Sequence, residues 1–256
     1  MPTGSAITLI DLGFVWPDGT VALTGLNASL PHGRTGLVGD NGSGKSTLLR
    51  LLAGELTPTT GWVLADGEIA YLPQTLTLDA GTPIADVLGV GAKLAALRAI
   101  EAGSIAERHY EDLGEDWDVE QRAVAALLAI GLGAEHLDRT VGQVSGGEAM
   151  LIAITALWLR RAPITLLDEP TNNLDRDARA RLSELLTRWP GVLVVVSHDV
   201  DLLDRMDFTA ELHGRQLTLF GGPYRQWRAH LEQQQAAAAQ AVAAAEQAVR
   251  VQQRQR

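Results

Sequence analysis

The stretch Gly39-Asp40-Asn41-Gly42-Ser43-Gly44-Lys45-Ser46-Thr47 decides how this chain reads. It fits the pattern G-x-x-x-x-G-K-[ST], and its flanks are the ones that pattern requires. Residues 34–38, Arg-Thr-Gly-Leu-Val, read as a short strand running into the turn, and residues 45–54 read as a helix ending at Gly54. Between a strand and a helix, a glycine-rich turn of this kind is a cradle for phosphate. Gly39, Gly42 and Gly44 let the backbone wrap closely, with Asn41 carried in the same turn and amide N–H groups directed inward. The helix N-terminus adds a favourable potential for anions. Lys45 supplies a positive charge to β- and γ-phosphates, and the Ser46 hydroxyl, with Thr47 beside it, ligates Mg²⁺. A chance glycine-rich turn is the competing reading.

Further along lie two continuous apolar runs, 164–168 (ITLLD) and 192–196 (VLVVV). Runs apolar on both faces suit strands of a covered parallel sheet. Asp168 and Glu169 end the first run, at the edge where such sheets bind ligands. Asp168 is expected to join the Mg²⁺ shell. Glu169, directly after it, is placed to polarise a water for in-line attack; the alternative is an N-capping pair for the next helix. His198 ends the second run and is expected on the same edge, where it would bond a γ-phosphate or orient the water, unless it is a packing or surface histidine. Ser145, in Val144-Ser145-Gly146-Gly147-Glu148, reads as the N-cap of an apolar helix over 148–161. Its position leaves N–H groups free for an anion, although a plain helix cap fits as well.

The remaining chain bounds the fold. Its 256 residues suffice for a large core, and 46% hydrophobic with 20% charged residues excludes wholesale disorder. Cysteine is absent, which excludes disulfides, thiolate nucleophiles and thiolate-ligated metals. No apolar run approaches the roughly 20 residues of a membrane-spanning helix, and the opening MPTGSAITLIDLGF lacks the pattern of a secretory signal, so the expected compartment is the cytoplasm. The net charge of −10 confines any nucleic-acid contact to a local patch. Lys45 is one of only two lysines. Residues 6–30, broken by Pro17-Asp18-Gly19, predict an antiparallel hairpin, and 61–73 predict two more strands with Gly67 at their turn. From about 83 to 137 the composition turns helical, and 101–122 carries eight acidic and two basic side chains. Residues 176–188 read as an amphipathic helix. From 225 to 256 the chain lacks glycine and proline and predicts a long helix, solvated or docked elsewhere, with five arginines against two glutamates. It stops at Gln-Arg-Gln-Arg without a capping signal, which hints that the native chain continues.

Taken together and in order, the phosphate loop, Gln74 in Tyr-Leu-Pro-Gln, Ser145-Gly-Gly-Glu, Leu-Leu-Asp168-Glu169-Pro, Asn173-Leu-Asp175 and Ser-His198-Asp resemble the motifs of the ABC ATPases over about residues 5–225. The resemblance implies an α/β fold of the P-loop NTPase type: a mostly parallel core sheet, an antiparallel β subdomain and an α-helical subdomain at about 83–160. Residues 1–224 would form the ATP-binding domain and 225–256 a helical tail. ATP and Mg²⁺ would be the cofactors. Gln74 would sense Mg²⁺ and the attacking water, Asp175 would lie in a loop communicating across a dimer, and Trp16 would stack on adenine. Sites in this family are composite, so Ser145 and Gly147 would contact a γ-phosphate held by a second ABC domain, either in a homodimer or in a missing tandem domain.

Within the family, Glu148, the wording Glu169-Pro-Thr-Asn-Asn-Leu-Asp175 and Phe220-Gly-Gly-Pro-Tyr224 resemble the F subfamily, soluble tandem ATPases that act on ribosomes. The tail would then begin an interdomain linker reaching toward transfer RNA, its arginines contacting phosphate; a solvated helix without an RNA role is the alternative. Two departures stand out. Ala149-Met150-Leu151 follows the signature where that subfamily usually has basic residues. The helical insert, net −6 over 101–122, would be repelled by ribosomal RNA within a Debye length of ~8 Å, which makes it a protein-binding surface or no functional arm. The alternative partner is a membrane permease, with this chain as a transporter's nucleotide-binding subunit. A slow nucleotide-dependent clamp is a third reading.

Overall fold

The computed structural model describes residues 5–214 and 216–254, with side chains described for 6–214 and 216–240. The chain opens with Ser5–Val15 (β1) and Val21–Pro31 (β2), an antiparallel hairpin. Its turn sits where Pro17-Asp18-Gly19 predicts it, closed by Trp16 N–H to the Thr20 carbonyl at 2.8 Å. Arg34–Val38 (β3) then feeds residues 39–44 and the helix Lys45–Leu52 (α1), whose leucines 48, 49, 51 and 52 are buried. Next come Thr60–Ala65 (β4) and Ile69–Leu72 (β5). They are the two expected strands, but Gly67 does not join them into a hairpin: β4 pairs with β1 and β5 with the later strand Ile164–Asp168. Only Asp66, Gly67 and Glu68 separate them, so the local pattern could not reveal that the chain changes sheets there.

The helical region holds Ile84–Val87 (α2), Gly91–Glu101 (α3), Glu107–Leu113 (α4), Val119–Ala129 (α5) and Gly146–Arg160 (α6). α6 starts two residues before the expected position because Ser145 caps it: Ser145 Oγ accepts from Glu148 N–H at 3.2 Å, and the Glu148 carboxylate accepts from Ser145 N–H at 2.7 Å. This reciprocal bonding satisfies two otherwise orphaned donors. Ile164–Asp168 (β6), Arg176–Thr187 (α7) and Val192–Val196 (β7) follow. Val200–Leu203 (α8), Phe208–His213 (β8), Gln216–Phe220 (β9) and Tyr224–Arg254 (α9) complete the chain.

Among the described residues the strands form two sheets. One is antiparallel, in the order β2-β1-β4; the other has six strands in the order β5-β6-β7-β3-β8-β9. Strands β5, β6, β7, β3 and β8 run parallel, and β9 returns antiparallel to β8. Every residue of β6 and β7 is buried. Leu167, Leu193 and Val195 pack into the core shared with α6 and α7, whereas Leu166, Val192, Val194 and Val196 pack into the core shared with α1 and the antiparallel sheet. Alternate side chains thus enter two different cores, which is why these strands read as unbroken apolar runs. The hairpin β8–β9 and the short α8 were not foreseen.

Acids of the helical region divide into two groups. Asp116 pairs with Lys93 and Arg122, Asp118 with Arg122, and Glu120 with Arg98, which also reaches Asp138. Glu101, Glu107, Glu111, Asp112 and Glu115 have no ion-pair partner among the described residues. The excess charge is therefore concentrated on and around α4.

α9 leaves the body through a clamp. Arg225 donates its backbone N–H to Asp204 Oδ1 at 2.8 Å, one guanidinium N–H to Asp204 Oδ2 at 2.5 Å and another to Asp201 Oδ1 at 3.0 Å. Beyond it residues 232–240 are exposed, as a polar helix with no apolar stripe must be. Residues 255 and 256, the end of the expected tail, lie outside the described residues, as do the side chains of Arg250 and Arg254.

Candidate functional site

The loop between β3 and α1 is shaped by its glycines. Gly39 has φ +151°, and a Cβ there would stand 2.4 Å from the Leu212 carbonyl of β8. Gly44 has φ +100° and sits at the N-cap of α1, where a Cβ would stand 2.8 Å from Leu23. No side chain caps α1. Its first N–H groups are therefore orphan donors at the positive end of a helix dipole, the arrangement that takes an anion. Lys45 turns back over the loop, its Nζ donating to the Gly39 carbonyl at 2.8 Å and the Asp40 carbonyl at 2.9 Å. The residue is only 8% exposed. An ammonium has three donors, so one remains, and no carboxylate among the described residues pairs with it directly. An anion in the loop would supply both missing partners.

At the C-terminal ends of β6 and β7 the carboxylates stand where the alternation of the strands delivers them. Asp168 is buried. Its Oδ2 accepts from the Tyr71 hydroxyl at 3.4 Å, while Oδ1 is shielded from solvent and has no hydrogen-bond partner. Burial pushes the Asp168 carboxyl above the usual range, opposed by the Ser46 and Tyr71 hydroxyls and the Lys45 charge. Glu169, 7% exposed, adopts φ +50° and donates its N–H to the Val196 carbonyl at 2.8 Å. This left-handed turn is unusual for a residue other than glycine and costs on the order of 1 kcal/mol. It swings the chain off β6 and onto the end of β7. There Glu169 Oε1 lies 3.2 Å from His198 Nε2, whose side chain is 63% exposed. The next residues are tied together by Thr171 Oγ1 to Ser197 Oγ at 3.1 Å. Neither Asp168 nor Glu169 caps the following helix. That task falls to Asp175, which accepts from Ala178 N–H at 2.8 Å.

These groups share one open cleft of about 410 Å³. Trp16, Asn41, Gly42, Gly44, Lys45, Ser46, Thr47, Gln74, Asp168, Glu169 and His198 all line it. Trp16 is half-buried at its rim, edge-on to Phe14 with ring centroids 4.9 Å apart. Thr20, Val21, Ala22, Asn172 and Val196 also line the cleft and were not singled out from sequence. Gly39 does not line it and instead shapes the loop and holds Lys45. Ser145, Gly147 and Asp175 lie outside it. Ser145 and Gly146 are exposed, and Gly146 has open space where a side chain would be. The N-terminus of α6 is thus exposed and separate from the cleft, with Ser145 and Glu148 capping each other's N–H groups. A larger groove of about 1170 Å³, between α3, α5, α6 and α7, has no glycine loop and no carboxylate pair at a strand end.

The donor set in the cleft suits a hard divalent cation: the Ser46 hydroxyl, the Asp168 carboxylate and the Gln74 amide oxygen are all oxygen ligands. The buried, partnerless Asp168 Oδ1 is the atom most in need of such a partner.

Comparison with known proteins agrees with this chemistry. A family described as ABC transporter matches residues 23–172. Tylosin resistance ATP-binding protein TlrC of Streptomyces fradiae is 37% identical over 234 residues, which cover 81% of this chain and 42% of TlrC. Probable ATP-binding protein YheS of Escherichia coli K12 is 35% identical over 212 residues, covering 80% of this chain and 30% of YheS. The chain therefore spans less than half the length of these two relatives. Among solved structures, a dimeric ATP-binding cassette in a post-hydrolysis state with ADP and Pi superposes with a TM-score of 0.65 at 22% identity, over 84% of this chain and 98% of that one. That likeness is one of fold. With more than half of the chain matched by the family and the phosphate loop and strand-end carboxylates gathered in one cleft, this chain belongs to the ABC transporter family and carries its ATP-binding ATPase domain.

Proposed function

We propose that this chain binds Mg²⁺·ATP in the cleft and hydrolyses it once a second ABC domain completes the site. The observation that carries this reading is the convergence of Lys45, Asp168, Glu169 and His198 from three separate stretches of sequence onto one sheet edge. The triphosphate lies along residues 39–47, with its charge met by the N–H groups of α1 and the free donor of Lys45. Trp16 stacks on the base. Ser46 and Asp168, with Gln74 beside them, would hold Mg²⁺, which when bound would supply charge neutralisation to the phosphates. Glu169, carboxylate side toward the cleft, takes a proton from the attacking water, and His198 holds its position and the γ-phosphate. Ser145 and Gly147 cannot serve the same nucleotide, because they lie outside the cleft. They complete the site of a partner domain, and the loop at Asp175 lies between the two. The partner is a second copy of this chain or a tandem domain.

At the level of biological role, the chain is read as ABC-F-like and acting on the ribosome. Support comes from the wording of residues 169–175 and 220–224 and from the similarity to TlrC and YheS over four-fifths of the chain. The exposed helix α9 is the segment that would meet RNA. The unpaired acids around α4 face away from such a role and suit a protein partner. No helix among the described residues is long and apolar enough to cross a membrane.

Glu169→Gln tests the chemistry. The substitution keeps the shape and removes the base. Turnover should fall by about 100-fold or more, as the loss of general base catalysis implies, with ATP binding retained. Turnover near the wild-type rate would remove Glu169 from this role. Co-sedimentation tests the partner: pelleting with ribosomes supports the F-type reading, and pelleting with membranes instead refutes it.

A further inference from the structure

Tyr71 opens the Tyr-Leu-Pro-Gln stretch and was given no role there, yet its hydroxyl reaches the carboxylate at the end of the neighbouring strand. β5 and β6 run parallel with Tyr71 beside Leu166 and Leu72 beside Leu167. The ring is half-buried against the core beneath α1 and the antiparallel sheet, so its position is fixed by packing. From there its hydroxyl lies 3.4 Å from Asp168 Oδ2. Oδ1 of the same carboxylate has no partner. A carboxylate turns about a broad torsion, so its two oxygens compete for any one position. A phenol keeps its proton at neutral pH and can only act as donor toward a carboxylate. Tyr71 on Oδ2 therefore breaks the symmetry and leaves Oδ1, on the side of Ser46, for another partner.

We infer that Tyr71 is a positioning residue for the metal-facing carboxylate: it engages Oδ2 of Asp168 and so presents Oδ1 to a divalent cation. The inference rests on the Mg²⁺·ATP reading given above. At 3.4 Å the contact is longer than a relaxed O–H···O bond, so it orients the carboxylate more than it holds it.

The test is Tyr71→Phe, which keeps the ring and removes only the hydroxyl. Calorimetry with a slowly hydrolysed ATP analogue, repeated across a series of Mg²⁺ concentrations, reads the metal dependence without turnover. The Mg²⁺ concentration needed for half of the tightening should rise about 2- to 10-fold, which is what the loss of one uncharged donor produces. Metal-free affinity should stay within about twofold. Adding Tyr71→Phe to Asp168→Asn should bring no further change, because the hydroxyl acts through that carboxylate. An unchanged Mg²⁺ dependence in the single variant overturns the inference, as does an equal loss with and without metal or a full additional effect on the Asp168→Asn background. If the wild-type chain itself bound the analogue without any Mg²⁺ dependence, the Mg²⁺·ATP reading would fall first and take the inference with it.

Discussion

Lys45→Ala removes the one charge that the phosphate loop buries. In the structure this ammonium donates to two carbonyls of its own loop and forms no ion pair among the described residues, although its charge acts on nearby Asp168, so an anion would find it ready. A hydrogen bond to a charged group is worth about 1.5–3 kcal/mol net. At 1.4 kcal/mol per decade, the variant should bind ATP about 10- to 150-fold more weakly. Lys93→Ala is the matched control: this is the other lysine of the chain, paired with Asp116 outside the cleft, and its loss should leave ATP affinity unchanged. Calorimetry at fixed ionic strength reads both. Circular dichroism melts check that the variant is folded, since the carbonyls of Gly39 and Asp40 lose a donor but stay close to water. Equal ATP affinity in wild type and a folded Lys45→Ala variant would refute the role assigned to the loop.

Other consequences follow from the same geometry. Because Ser145 and Gly147 serve a partner's nucleotide, turnover by the isolated chain should rise with the square of protein concentration when dilute; strict linearity would contradict a shared site. The Arg34–Asp207 pair, with Arg34 also donating to the Thr187 carbonyl, joins β3, β8 and the end of α7. The Arg34 hydrogen bond holds the Asp207 carboxyl below the usual range, so its stabilisation is present above the unfolded value near 3.9 and fades as pH falls through the lower folded value. Asp207→Asn should cost about 1–2 kcal/mol at pH 7, discounted for the half-exposed carboxylate, and shrink that difference below about pH 4 in urea melts. A difference that stays constant down to pH 2 would contradict the linkage. Arg225→Ala should loosen the start of α9 from α8, seen as faster amide exchange at residues 224–230, with stability of the body changed by less than about 1 kcal/mol because the pair is exposed; unchanged exchange would show that the clamp is not what holds the helix.

Much of this molecule was readable before its fold, and the reasons are local. The phosphate loop is legible because only glycines fit φ +151° at Gly39 and +100° at Gly44 next to crowding backbone and side chains. β6 and β7 are legible because each feeds two cores, which makes both runs apolar apart from buried Thr165 and the site residue Asp168. The convergence of Asp168, Glu169 and His198 on one edge then follows from parallel pairing. What stayed hidden depends on long-range register. Nothing near Gly67 announces that β4 and β5 part into different sheets. Tyr71 meets Asp168 across 97 residues of sequence, through strand pairing alone. Glu169 carries a left-handed turn with no glycine to signal it. The β8–β9 hairpin did leave a trace: Phe208, Ala210 and Leu212 alternate with polar residues before Gly214, followed by Leu217 and Leu219. Asp175 serves as a helix cap here, so one residue supplies both a structural role and its proposed place between domains.

The most direct trial of the nucleotide site is a crystal structure of the chain with a slowly hydrolysed ATP analogue and Mg²⁺. The triphosphate should lie along residues 39–47 with the metal between Ser46 and Asp168 Oδ1, and Glu169 should face the γ-phosphate. A nucleotide seated elsewhere, with this loop empty and Lys45 still bonded to the carbonyls of Gly39 and Asp40, would contradict it.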